Sequence, residues 1–314
     1  MARLSFATVD RSAVPDRRPL AEVLGIPDHG PSARGSSYYK LELACPREFA
    51  LSTIAGLAPE HPSDPLSTGL LFHLSLERYY QAIQKHGVGR EGRRIGAAAA
   101  ISIYEALQNE PGYGSIFEET KAIIDGYLDE YDRDEPWEIL AVEETLEYAI
   151  QGFEYTTRLD LLVRDTQRGG VYVVEHKSAR SITPDLLDNY EMDLQVLGQI
   201  WLVERVLDLS KYGKFRGTLI NIATKHSPPR FHRHEVNPSP AHLRAFEQAL
   251  QSYIRLKQDY ARENWPRALG HCSGYARGYG KCQFYSLCHD FPDMHTSDWT
   301  KAEPPLGYIR KKAS

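Results

Sequence analysis

The chain has 314 residues, 42% hydrophobic and 25% charged, the proportions of a soluble globular protein with length enough for one large domain or two small ones. No apolar run approaches the roughly 18 residues that cross a bilayer, and the N-terminus shows no signal-peptide core, so a cytoplasmic location and no membrane partner are expected. The net charge of -5 argues against bulk attraction to nucleic acid. Any such contact must be local, and the basic stretches open to it are Arg90, Arg93 and Arg94, residues 225–233, and residues 310–312; each also reads as an ordinary solvated face.

Residues 1–36 are rich in Pro, Gly, Asp and Arg without periodicity and read as an extended or disordered arm. A helix is expected from Ser36 or Ser37 through Phe49, with Tyr38, Leu41 and Cys45 on one face, followed by a loop marked by Pro59, Pro62 and Pro65. Ser67 or Thr68 can cap the next helix, over 69–85, on which His73 and Glu77 share a face. Two more helical patterns, 94–108 and 116–131, carry no catalytic cluster. Residues 137–150 read as a strand on which Glu143, Glu144 and Glu147 are expected to be solvated.

The most informative stretch is 157–178. Leu159, Leu161 and Val163 alternate with Arg158, Asp160 and Leu162, which is the period of a strand with one buried face. Gly169 and Gly170 close a hairpin, and residues 171–177 form a second strand with Glu175 and Lys177 on one face. Asp160 and Glu175 can then converge on one point, where two carboxylates and the backbone carbonyl of His176 offer a partial oxygen shell for a hard divalent cation. Lys177 beside that point can orient a water and offset charge developing on a phosphate, which implies phosphodiester hydrolysis.

A helix over 186–207 carries Asp193, Gln195 and Gln199, and strands are expected at 215–223 and 231–236. Lys225, His226, Arg230, His232, Arg233 and His234 cluster there as candidates for phosphate contact. An amphipathic helix spans 240–264, with Leu243, Phe246, Leu250, Tyr253, Ile254 and Leu256 as its apolar positions. Of four cysteines, Cys45 stands alone upstream while Cys272, Cys282 and Cys288 lie close together near the C-terminus. Four thiols are the count that an iron-sulfur cluster requires. A structural zinc site is the rival, with His271 and His289 flanking the tail cysteines.

Asp160 followed by Glu175-His176-Lys177 resembles the D…ExK signature of the PD-(D/E)XK nuclease superfamily. Gly69-Leu70-Leu71-Phe72-His73 resembles the GxxxH element of its RecB-like branch, and Gln195 matches the first residue of the branch's QxxxY element, although Gln199 stands where the Tyr is expected. The cysteines resemble those of the iron-sulfur nucleases of AddB type and of CRISPR adaptation: five residues separate Cys282 from Cys288 as in that family, whereas Cys272 and Cys282 are farther apart than its common CxxC. The resemblance covers residues 37–290, leaving 291–314 as a tail, and implies an α/β restriction-endonuclease-like core, a mixed β-sheet flanked by helices with helical additions. It further implies Mg²⁺ or Mn²⁺ held by His73, Asp160 and Glu175, a water positioned by Lys177, a positional role for Gln195, and a 4Fe-4S cluster on Cys45, Cys272, Cys282 and Cys288. The expected substrate is DNA, as ends or single strands, in recombination or repair, with a helicase or recombination partner. The competing readings are a nucleic-acid-binding module with an idle site and a zinc-stapled interaction protein.

Overall fold

The computed structural model describes residues 20–24, 34–59, 64–131, 136–272, 281–293, 295–305 and 307–310. Within the stretch expected to be an unstructured arm, α1 (Leu20–Leu24) forms a short helix whose Leu20 is buried with Leu71, Leu107, Tyr113 and Ile116. Next come α2 (Ser36–Ala44) and α3 (Pro46–Phe49), in place of one continuous helix. Pro46 forces the break: it disfavours helical geometry at the residue before it, and Cys45 is extended. α2 buries Ser36, Tyr39 and Glu42; of the expected stripe, Tyr38 and Leu41 pack against Phe49, Ala50 and Trp265, while Cys45 is buried just beyond the helix end. A π-helical turn (Ala50–Ile54) leads to β1 (Leu57–Pro59).

Three helices follow, α4 (Asp64–His86), α5 (Arg90–Glu105) and α6 (Gly114–Tyr131). α4 begins earlier than its expected caps, so Thr68 lies inside it, buried, with its hydroxyl donating to Glu119 Oε2 of α6 at 2.6 Å. The sheet is built from β2 (Trp137–Ile150), β3 (Phe153–Asp165) and β4 (Gly170–Ala179), then, after α7 (Pro184–Glu191) and α8 (Leu194–Val206), from β5 (Phe215–Thr224) and β6 (Phe231–Val236). Its strand order is β2-β3-β4-β5-β6, antiparallel except between β4 and β5. A parallel pair needs a crossover, and α7 and α8 supply it. This is the mixed sheet flanked by helices that the sequence led us to expect.

One face of the sheet buries Leu161, Val163, Tyr172 and Val174 under α4, α5 and α6. The other buries Leu162, Val171, Val173 and Ile220 under α8 and α9 (Pro240–Arg262), with Tyr39 of α2 at its edge. Leu256, expected among the apolar positions of α9, is exposed. The chain ends in α10 (Leu269–Cys272), α11 (Tyr285–Asp290), α12 (Thr296–Lys301) and β7 (Tyr308–Arg310). β7 pairs with β1, so the final segment folds back onto the region after α3. No helix among the described residues is long and apolar enough to cross a membrane.

Glu42 is a strained feature of this scaffold. It is fully buried, neither carboxylate oxygen has a hydrogen-bond partner among the described residues, and burial pushes its pKa from 4.5 up to about 7, with Lys257 opposing the shift. Between those values the folded chain holds a proton that the unfolded chain has released, so stability falls as pH rises through this window. Glu42→Gln should raise the melting temperature by several degrees at pH 8 and distinctly less at pH 5, as read by thermal denaturation; the same gain at both values would contradict this account.

Candidate active site

The hairpin that carries Asp160 and Glu175 is set by its turn. Asp165 Oδ1 accepts from the backbone N–H groups of Gln167 and Arg168 at 2.9 and 2.8 Å, and Gly169 takes the positive φ of 67° that the reversal requires. The register pairs Leu161 with Val174 and Leu162 with Val173, which brings Asp160 opposite Glu175. Asp160 Oδ2 accepts from the backbone N–H of His176 at 2.8 Å and lies 3.1 Å from His73 Nδ1 on α4. Burial disfavours the charge on both groups, but their mutual attraction and hydrogen bond prevail, holding Asp160 well below the usual carboxylate range and lifting His73.

Glu175 is fully buried on the opposite side of this contact. Its Oε1 accepts from Gln195 Nε2 at 2.6 Å and from the Lys177 ammonium, and its Oε2 accepts from Gln199 Nε2 at 2.6 Å. Lys177 Nζ also donates to Gln195 Oε1 at 3.0 Å. Burial and then the charge of Asp160 raise the Glu175 pKa; burial pulls Lys177 down, but the charges of Glu175 and Asp160 and the hydrogen bond to Glu175 together outweigh it and raise Lys177. Gln199 thus belongs to the cluster, although the sequence reading set it aside because a Tyr was expected there. The signal for it was the i, i+4 spacing from Gln195, which puts both amides on one face of α8. The helix expected over 186–207 is split before Leu194, where the Asp193 side chain caps the new N-terminus by accepting from Gln195 N and Val196 N. α8 approaches β3 closely at Gly198, where a Cβ would stand 2.0 Å from Tyr155 Oη.

Other expected candidates fall elsewhere. The His176 ring is buried, stacked on Tyr80 with centroids 5.8 Å apart and bonded through Nδ1 to Asn221 Nδ2 at 2.9 Å; burial lowers its pKa to about 3. Its ring therefore serves the buried network under α4 and α6, and its backbone N–H serves Asp160. Glu143, expected to be solvated, is half-buried opposite Asp160, ion-paired to Arg158 at 2.8 Å, with burial and then the Asp160 charge raising its pKa to about 7. Glu144 and Glu147 are exposed as expected. Arg233 lies over the Tyr131 and Trp137 rings at 3.8 and 4.1 Å, and His234 pairs with Glu191 at 2.9 Å, so neither is placed as a simple exposed phosphate contact. Lys311 and Lys312 lie outside the described residues.

A model of the PD-(D/E)XK nuclease superfamily matches residues 36–289. The chain belongs to this superfamily. It is therefore a nuclease, a hydrolase of phosphodiester bonds, from a group that typically uses Mg²⁺ or Mn²⁺. Among solved structures it is similar to a protein of Eubacterium rectale named for an inferred exonuclease activity, at 14% identity and a TM-score of 0.47, covering 83% of this chain and 93% of that one. It is also similar to SSO0001, at 14% identity and a TM-score of 0.27, covering 59% and 74% of the two chains. Likeness at these levels carries no argument about function. No curated protein matches the chain.

The nuclease brings its cysteines to one corner. Cys45 and Cys282 are buried, Cys272 and Cys288 are half-buried, and none is in a disulfide. The Cys282 N–H donates to the Cys272 carbonyl at 3.3 Å. Burial, then the nearby Cys45, raises the Cys272 thiol pKa; burial raises Cys288, against the opposing charge and hydrogen bond of Arg267. Buried Glu48 of α3 ties this corner together. One of its oxygens pairs with His271, the residue before Cys272, and the other accepts from Gln283, the residue after Cys282, at 3.0 Å. Glu48, His271 and Cys282 offer ligand atoms within 4.8 Å of one another. His289, the other histidine considered for zinc, is exposed and pairs with Asp290. Glu48→Ala strips a buried partner from both His271 and Gln283 and should cost on the order of 3 kcal/mol in denaturant unfolding. A loss below about 1 kcal/mol would show that the corner does not depend on this carboxylate.

Proposed function

We propose that this nuclease cleaves DNA, acting on ends or single strands as an exonuclease of the RecB-like branch, with His73, Asp160 and Glu175 as ligands of Mg²⁺ or Mn²⁺ and Lys177 as the cation beside the scissile phosphate. The observation that carries this reading is convergence. His73 comes from α4, Asp160 from β3, Glu175 and Lys177 from β4 and Gln195 from α8, yet they form two adjoining hydrogen-bonded groups, His73 with Asp160 and the backbone of His176, and Glu175 with Lys177 and Gln195, which meet where Glu175 and His176 follow one another on β4.

The donor set suits a hard divalent cation. Two carboxylates sit close enough for Asp160 to raise the Glu175 pKa, a repulsion that a cation between them would relieve, and one imidazole stands against Asp160. When bound, the metal polarises the phosphoryl group and makes water a better nucleophile. The remaining work falls to the chain. Gln195 and Gln199 hold the Glu175 carboxylate in a fixed orientation, and the backbone N–H of His176 does the same for Asp160. Lys177, an ammonium held between Glu175 and Gln195, can donate to a non-bridging phosphate oxygen as negative charge grows there. Water attacks phosphorus, the bond to the leaving oxygen breaks, and that oxygen departs with a proton.

We propose that the four cysteines hold an iron-sulfur cluster: they match it in donor number, and Cys45, Cys272 and Cys288, from the start of α3 and from the tail, are near enough to act on one another's thiol charge. Such a cluster would staple the chain's early and late segments, making metal binding part of folding. Action in recombination or repair, with a helicase or recombination partner, is the pathway that this branch suggests.

The test is cleavage of labelled single- and double-stranded DNA with Mg²⁺ or Mn²⁺ by anaerobically purified protein. Lys177→Ala and Asp160→Asn should each lower the rate by about 100-fold or more. Full activity in either variant would sink the assignment of the site. Cys45→Ala should lose bound iron and the visible absorption of thiolate-ligated iron; wild-type protein that carries zinc in its place would overturn the cluster.

A further inference from the structure

Lys40 and Asp193 lie 153 positions apart in sequence and meet at 2.6 Å, Lys40 Nζ on Asp193 Oδ2. Nothing about an exposed lysine on α2 marks it for catalysis, but its partner occupies a particular place. Asp193 Oδ1 accepts from Gln195 N at 2.7 Å and from Val196 N at 3.2 Å, so one carboxylate caps α8 with one oxygen and takes Lys40 with the other. The capped residue, Gln195, is the one whose side chain spans Glu175 and Lys177. One turn on, Gln199 holds the second oxygen of Glu175. The first two turns of α8 therefore supply two of the three side-chain hydrogen bonds to that carboxylate.

α2 is a firm anchor for such a contact. Tyr39 next to Lys40 is buried, stacked on Tyr155 at 5.6 Å and edge-on to Tyr253 at 4.3 Å. Tyr155 in turn abuts Gly198 of α8. Beyond its C-terminus α2 runs directly into Cys45, so the cysteine corner and the first turn of α8 are held by the same short helix.

We propose that Lys40 and Asp193 are positioning residues for phosphodiester hydrolysis: their ion pair fixes the first turn of α8 and, through Gln195 and Gln199, the orientation of Glu175 and Lys177. This rests on the reading of Glu175 and Lys177 as the catalytic pair. An exposed ion pair contributes little to stability, so its removal separates positioning from folding. A second-layer contact of this kind is worth about 10-fold in activity.

The experiment compares Lys40→Met, Lys40→Arg, Asp193→Asn, the Lys40→Met/Asp193→Asn double variant and Lys177→Ala in steady-state DNA cleavage with Mg²⁺, alongside thermal denaturation. Lys40→Met should lower kcat about 10-fold with KM and melting temperature nearly unchanged, and Lys40→Arg should recover most of the loss. Asparagine still caps a helix but offers no charge to Lys40, so Asp193→Asn should lose as much as Lys40→Met, and the double variant no more than either alone. Wild-type kcat in Lys40→Met, losses that multiply in the double variant, or a fall in kcat matched by a fall in melting temperature would each overturn the proposal. If Lys177→Ala is inactive while Lys40→Met is not impaired, the proposal alone fails. If Lys177→Ala keeps wild-type activity, or if the wild type itself cuts nothing, the reading of the site fails and takes the proposal with it.

Discussion

The arrangement depends on a carboxylate that water cannot reach. Burying Glu175 as an anion costs several kcal/mol unless its lone pairs and charge are met. Three donors meet them: two amides from α8 and the ammonium of Lys177 on its own strand. Much of the architecture follows from supplying those donors. α8 has to lie against this face of the sheet with its glutamine side inward, which needs the close approach to Tyr155 of β3 at Gly198 and a helix that begins at residue 194. The parallel pairing of β4 with β5 supplies the crossover in which that helix sits. A carboxylate anchored on both oxygens keeps its orientation, and fixed orientation is what a metal ligand or an electrostatic catalyst requires.

The hairpin was legible in the sequence because its signals are local. Alternating leucines, a Gly-Gly turn and an acid, histidine and lysine in succession state the strand pair and the position of its polar groups without reference to the rest of the chain. His73 became legible only through its resemblance to a motif, since one histidine on an amphipathic helix carries no sign of what it faces. Gln199 was missed because it was judged against an expected Tyr, although its helical spacing from Gln195 pointed inward. Glu143 was missed for a different reason. Acids on a strand alternate with apolar residues whether or not they face a site, and only the β2–β3 register places this one opposite Asp160. The split at Asp193 was hidden by an unbroken apolar pattern through 186–207; the capping aspartate was visible, but it competed with a continuous helical period.

The two unusual regions of the chain are tied together. Glu48 sits between the residue that precedes Cys272 and the residue that follows Cys282, on the helix that starts just after Cys45. One buried carboxylate thus links three cysteine-bearing segments, alongside the backbone bond from Cys282 N–H to the Cys272 carbonyl. The same region is held by the pairing of β1 with β7 and by Arg310 donating to the carbonyls of Trp299 and Ala302.

Charge explains why the candidate site needs help with its substrate. Asp160, Glu175 and Glu143 gather around one point, and the chain as a whole is acidic at -5. The cations nearest them, Lys177 and Arg158, are each engaged with a member of that acidic group, and His73 is engaged with Asp160. A phosphodiester approaching this cluster meets repulsion that falls only slowly with distance inside a protein, where the dielectric is low. Attraction has to be generated at the site itself. A divalent cation held by Asp160 and Glu175 would offset their charge, so that the acids that repel a phosphate would become the means of holding it. In this reading the metal would serve binding as well as chemistry, because the carboxylates that repel a phosphate would hold the cation that attracts it.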